Sequence, residues 1–209
     1  MKSGALVLCL GALGLGISGA PALGSRPARR VAMLPFSLRC TGEPPPRVAP
    51  VLRGVHAQVA LGAGWRIGRA AANDTSSGGG CGQPYLVIDV PDDAGGCLQQ
   101  TVYASAERSG SDTPASFIGV RYVIVARGRL AVISGMHGIW EEVQMGSTPA
   151  YPAYSVDAVY ATAHDATLYE LSVVPSPSYT GICRRRGPQA RAIARQLAES
   201  FRVQRTASA

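Results

Sequence analysis

Hydrophobic positions recur along this chain in two rhythms, one of period two and one that returns every fourth residue. The period-two segments read as strands. Val31-Ala32-Met33-Leu34-Pro35-Phe36 is a short apolar run that Pro35 helps to end. Tyr85-Leu86-Val87-Ile88 reads as a buried strand and Trp65-Arg66-Ile67 as a short edge strand. Residues 120–133 hold the strongest β signal. There Tyr122, Val123, Ile124 and Val125 run together, as in a strand buried on both faces, and Arg127-Gly128-Arg129 reads as a bulge. Residues 140–145 and 156–164 alternate as half-exposed strands, and Thr167, Tyr169, Leu171 and Val173 continue the alternation.

The four-residue rhythm reads as helix. Pro50 suits a first helical turn, Val51, Val55 and Val59 fall on one face, and Gly62 and Gly64 stop the segment. Leu98, Val102 and Ala106 repeat the spacing, so residues 98–108 are predicted helical, although Thr101-Val102-Tyr103 suit a strand. The clearest stripe follows Pro188. Ala190, Ile193, Leu197 and Phe201 line one face, with Arg191, Arg195, Glu199 and Arg202 mostly opposite, as in a helix docked on a sheet. The elements predict one α/β domain over residues 31–203, a mixed β-sheet with helices packed on it. A flexible lead-in at 23–30 and a disordered tail at 204–209 flank it.

The amino-terminal segment decides the compartment. After Lys2, residues 5–17 form an uncharged apolar run, and Ala20-Pro21-Ala22 has the A-x-A form that signal peptidases cut. Residues 1–22 therefore read as a signal peptide, cleaved after Ala22 or Gly24, and the protein as periplasmic or secreted. The alternative is a membrane anchor over residues 5–24, which Arg26, Arg29 and Arg30 behind the run would favour. Against it, the run is short for a span and thinned by Gly11, Gly14 and Gly16.

Four cysteines remain beyond that segment: Cys40, Cys81, Cys97 and Cys183. An even count in an exported chain predicts two disulfides, with Cys81–Cys97 and Cys40–Cys183 favoured over the other connectivities. There is no C-x-x-C, and no His lies near a Cys at ligand spacing, so neither a metal nor a cofactor is expected.

Charge adds less. The chain has 20 Lys plus Arg, Lys2 being the single lysine, against 13 Asp plus Glu, for a formal net charge of +7. That balance admits an anionic lipid or glycan partner. No basic stripe interleaves with aromatics, so nucleic acid is not an expected partner.

Candidate chemistry is thin. His137, with Glu141 or Glu142 beside Trp140, could serve a secreted hydrolase. G-x-S-x-G is absent, and neighbours on a strand point to opposite faces, so the two glutamates diverge. Arg184-Arg185-Arg186 precede the last helix and, with its first amides, could hold an anionic group; a solvated basic turn is the plainer reading. The residues alone thus describe an exported chain in which no cluster reaches a catalytic signature.

In order, the elements resemble the CsgG and TolB-N-terminal-like bacterial envelope proteins. Arg30-Val31-Ala32-Met33-Leu34-Pro35-Phe36 is similar to their first strand, R-V-A-V-L-P-F. Residues 51–61 and Trp65-Arg66-Ile67-Gly68-Arg69 resemble the amphipathic helix and basic-ended strand that follow. Gly119-Val120-Arg121-Tyr122-Val123-Ile124-Val125-Ala126 is similar to G-V-D-Y-V-I-V-G, with Arg for Asp and Ala for Gly. Thr167-Leu168-Tyr169-Glu170 echoes a later strand, and residues 190–201 match a closing helix. The chain departs from many relatives in lacking a lipobox Cys. The resemblance implies an α/β envelope fold and an exported, non-catalytic protein that binds a protein or another cell-envelope component in an assembly or accessory role, and not a pore.

Overall fold

The computed structural model describes residues 30–38, 51–71, 82–93, 95–108, 123–145, 153–162, 167–175 and 181–206. The first strands are β1 (Val31–Leu38), β2 (Val51–Ala60), β3 (Arg66–Ala71), β4 (Tyr85–Asp89) and β5 (Gln100–Arg108). After them come β6 (Val123–Arg129), β7 (His137–Met145), β8 (Ala153–Ala161) and β9 (Thr167–Pro175). Two helices, α1 (Gly181–Arg184) and α2 (Gly187–Glu199), precede the last strand, β10 (Arg202–Arg205).

The strands lie in the order β10-β2-β1-β5-β9-β8-β7-β6, and β4 and β3 branch from β5. Every ladder is antiparallel except one short parallel contact, where Ser37 and Leu38 lie beside Ser105 and Ala106. The same edge of β5 pairs with β4 from Tyr103 back to Gln100. Continued along that edge, β1 would run into β4, so it meets β5 only at its C-terminal end, while its other edge pairs with β2. The sheet curls into a half-barrel around α2, which packs mainly on β8 and β9.

This architecture corrects the α/β expectation. The chain is mostly β, and the predicted helices at 51–61 and 98–108 are strands β2 and β5. Four residues are about one helical turn and also two strand repeats, so side chains at i, i+4 and i+8 share a face in either conformation. Non-local pairing decided the matter: β5 lies between β9 on one edge and β4 and β1 on the other, which satisfies its backbone at both edges. The run at 122–125 is corrected in the other direction. β6 is an edge strand with Val123 65% exposed, and its irregularity falls between Ile124 and Ala126, not at Arg127-Gly128-Arg129. A bulge there blunts an apolar edge against pairing with another chain. Strands β7 and β8, expected to be half exposed, are interior, with Val143, Val156, Val159 and Tyr160 buried.

The predicted helix after Pro188 is α2, and Ala190, Ile193, Ala194 and Leu197 are its buried stripe. Phe201, just beyond it, completes an aromatic cluster: its ring centroid lies 6.2 Å from Phe36 and 5.3 Å from Tyr160, and Phe36 lies 5.0 Å from Tyr169. Gly128 has a steric reason, since a Cβ there would collide with the Trp140 indole from the facing strand. The tail expected at 204–209 begins inside β10, whose Gln204 and Arg205 pair with His56 and Val55. The proposed signal segment lies outside the described residues. Among those described, no helix is long and apolar enough to cross a membrane.

The disulfide expectation is also corrected. Cys97 bonds Cys183, with Cα atoms 5.1 Å apart, which excludes both Cys81–Cys97 and Cys40–Cys183. Cys81–Cys97 was favoured because the two flank one short strand, which left Cys40 for Cys183, but the half-barrel brings the β4–β5 connection against α1 across 86 residues of chain. Cys40 and Cys81 lie outside the described residues.

Candidate functional site

The hydrolase residues are not brought together. His137 opens β7 on the outer face of the sheet, exposed and opposite Ala161. Glu141 shares that face, but four strand residues away, about 13 Å at the usual rise. It is buried between register partners Arg127 and Asp157. Glu142 points to the inner face, fully buried under α2.

Glu142 acts as a ligand for the helix. It accepts a hydrogen bond from Arg191 Nε, and Arg195 Nε lies 2.7 Å from its other oxygen. That second contact is out of line for a hydrogen bond and counts as an ion pair. The Arg191 guanidinium also sits 4.0 Å from the centre of the Tyr154 ring. The arginines expected on the solvent side of α2, Arg191 and Arg195, therefore anchor it to the sheet through the buried Glu142 carboxylate.

The Arg184-Arg185-Arg186 run divides. Arg184 and Arg185 are exposed. Arg186 caps α2 and clamps the loop after β4, donating to the Asp92 carbonyl at 3.1 Å and lying 3.6 Å from the Asp93 carboxylate. Asp93 in turn accepts from the Leu98 N–H at 2.6 Å, beside the Cys97–Cys183 bond. Arg186 thus reinforces the disulfide.

The concave site lies elsewhere. Where the curled sheet stops short of closing, β10 faces the turn at 131–136 across a cavity of about 750 Å³. Ser134 and Gly135 form the turn with positive φ, 47° and 78°, and Ile133 and Met136 exchange backbone hydrogen bonds of 3.2 and 2.7 Å. Both central residues are thus left-handed, as a two-residue hairpin turn requires. Ile133, Met136 and Val203 give this seam apolar lining, while Gln58, Arg202 and Arg205 give it polar lining.

Tyr160 ties the two sides of the seam together beside the cavity. Its hydroxyl donates to the Ala131 carbonyl at 2.8 Å and lies 3.4 Å from the Phe201 carbonyl. One side chain thus joins the β6–β7 connection to the α2–β10 junction. Burial raises the Tyr160 phenol above its ordinary 10.0, and the nearby Arg202 guanidinium opposes this by charge and hydrogen bonding. A raised folded-state value means that the unfolded chain loses this proton first. Stability from Tyr160 is therefore complete below about pH 10 and declines as pH rises through the folded value. Denaturant titrations at alkaline pH should show a steeper loss for the wild type than for Tyr160→Phe.

Sequence reading passed over Tyr160 and Arg205 and placed Arg202 on the outer face of the last helix, whereas it opens β10. The available signal was the Ser134-Gly135 dipeptide, which marks a turn. Nothing in the linear pattern shows that this turn faces the chain terminus. Among the described residues, no group of three or more His, Cys, Asp or Glu side chains could hold a metal ion.

No family model and no curated protein matches the chain. Among solved structures it is similar to cyanobacterial PsbP (CyanoP) from Synechocystis sp. PCC 6803, with a TM-score of 0.40 and 11% identity over 93% of this chain and 98% of that one. The CsgG and TolB-N-terminal resemblance is overturned. No family model matches, and the segment likened to the family's first amphipathic helix is strand β2.

Proposed function

We propose that this chain is an exported, non-catalytic binding protein that holds a protein partner of the cell envelope at the seam between β10 and the turn at 131–136. The observation that carries the reading is the seam itself, a concave surface with apolar lining and two arginines at the open edge of a half-barrel. Two further observations support it. The Cys97–Cys183 bond suits an oxidising compartment outside the cytoplasm. His137, Glu141 and Glu142 are separated by distance or by the sheet, which favours binding over hydrolysis. Arg184 and Arg185 lie at the opposite end of α2 from β10 and stand outside this contact.

Photo-crosslinking in the native envelope tests the proposal. A benzoylphenylalanine replacing the exposed Gln204 should trap a protein partner, and one replacing Val123 on the far sheet edge should not. Absence of an adduct at position 204, or the same adducts at both positions, would remove the seam as the binding surface.

A further inference from the structure

We infer that β10 accepts an extended acidic segment of a partner protein as an added strand; this deepens the seam reading above and rests on it. Among the described residues β10 pairs only with β2, so one of its edges carries no ladder. The direction of the unused groups follows from the register. Thr206 donates its N–H to the Gly54 carbonyl at 2.8 Å, in line with Arg205 opposite Val55 and Gln204 opposite His56. Groups facing the partner strand alternate along an antiparallel pair, so Val203 and Arg205 direct both N–H and C=O away from β2.

An edge of this kind offers donors and acceptors in alternation. Phosphate, sulfate and carboxylate groups alone can accept from the N–H groups but cannot donate to the carbonyls. A peptide backbone does both, which is the basis of strand addition. The edge therefore selects a polypeptide over a lipid headgroup or a nucleic acid backbone. Four residues of β10 would pair with a segment of about four to six residues.

The side chains set the sign of the charge. Arg202 and Arg205 line the seam, and among the described residues no Asp or Glu lines it. Ile133 and Met136 form the facing apolar wall. Side chains of an added strand alternate between its two faces, and Arg202 and Arg205, three residues apart, lie on opposite faces of β10, so the set on the Arg205 face would carry carboxylates toward that arginine and the other set would be apolar. Arg205 is the exposed member of the pair, and Arg202 is held by the Phe201 carbonyl at 2.6 Å.

The test uses the disulfide-intact, isotope-labelled chain and two blocked synthetic hexapeptides, one alternating Glu and Val and one alternating Lys and Val. At about 50 mM salt exposed charges are only weakly screened. The Glu peptide should shift the Val203 and Arg205 amide resonances and slow their hydrogen exchange. It should bind about tenfold or more tightly than the Lys peptide, and Arg205→Glu should abolish that preference. Arg205 is exposed, so this variant keeps the fold; unchanged amide spectra away from β10 would verify that.

Equal binding of the two peptides, or shifts confined to other strands, would overturn the inference. So would a dimer of this chain that Arg205→Glu dissociates, because a second copy would then own the edge. The two proposals fail separately. A partner trapped at position 204 with no peptide effect on Val203 and Arg205 keeps the binding surface and removes strand addition. No adduct and no peptide effect removes both.

Discussion

Replacing Cys97 and Cys183 together with serine should lower the unfolding free energy by about 4 to 5 kcal/mol, the value the chain-entropy relation gives for a closed loop of this length. The bond joins residues 86 apart, so it removes a large share of the unfolded chain's freedom. For a chain of this size the midpoint should fall by roughly 10 °C or more. Thermal and denaturant unfolding of the double variant, compared with reduced and oxidised wild type, measure the effect. The loop after β4 should be the first part to loosen, because its tie to the helices would then rest on Arg186. A change within about 0.5 kcal/mol would mean that the bond contributes little beyond what the core supplies.

The second large effect concerns the charges beneath α2. Arg191→Met with Arg195→Met would leave Glu142 buried at 0% exposure without a cation. Stranding a buried charge costs about 3 to 5 kcal/mol. Glu142→Gln should cost less, since Arg191 and Arg195 are 23% and 39% exposed and can turn to water. Adding Glu142→Leu to the arginine pair should restore most of the loss, because a packed apolar replacement of a buried ion group is often neutral or better. Urea unfolding of the three variants gives the ordering. Equal losses for the arginine pair and for the triple variant would show that α2 depends on the arginine stems and not on the charge.

These effects mark what could be read along the chain. Strands β8 and β9 were legible because their alternation has no helical equivalent, and β1, β3 and β4 because short apolar runs bounded by Pro, Gly or Ser are too short for a helix. The last helix was legible because Ala190, Ile193 and Leu197 combine spacings of three and four, which a strand cannot place on one face. The segments around Val55 and Val102 carried only spacings of four, and there local pattern is silent between helix and strand. The seam was illegible for a different reason. It joins residues near 133, 160 and 203, and no short-range rule connects them.

By itself, the sequence determined most of the strands and the final amphipathic helix. Those depend on neighbours within one or two turns of chain. Tertiary structure alone decided that β2 and β5 are strands, that Cys97 meets Cys183, that Glu142 sits under two arginines, and that β10, among the described residues, pairs along one edge. Each of those depends on which distant segment satisfies a backbone or fills a face. Closing the sheet around α2 made that choice, because only there do the inner-face side chains of nearly every strand leave water together.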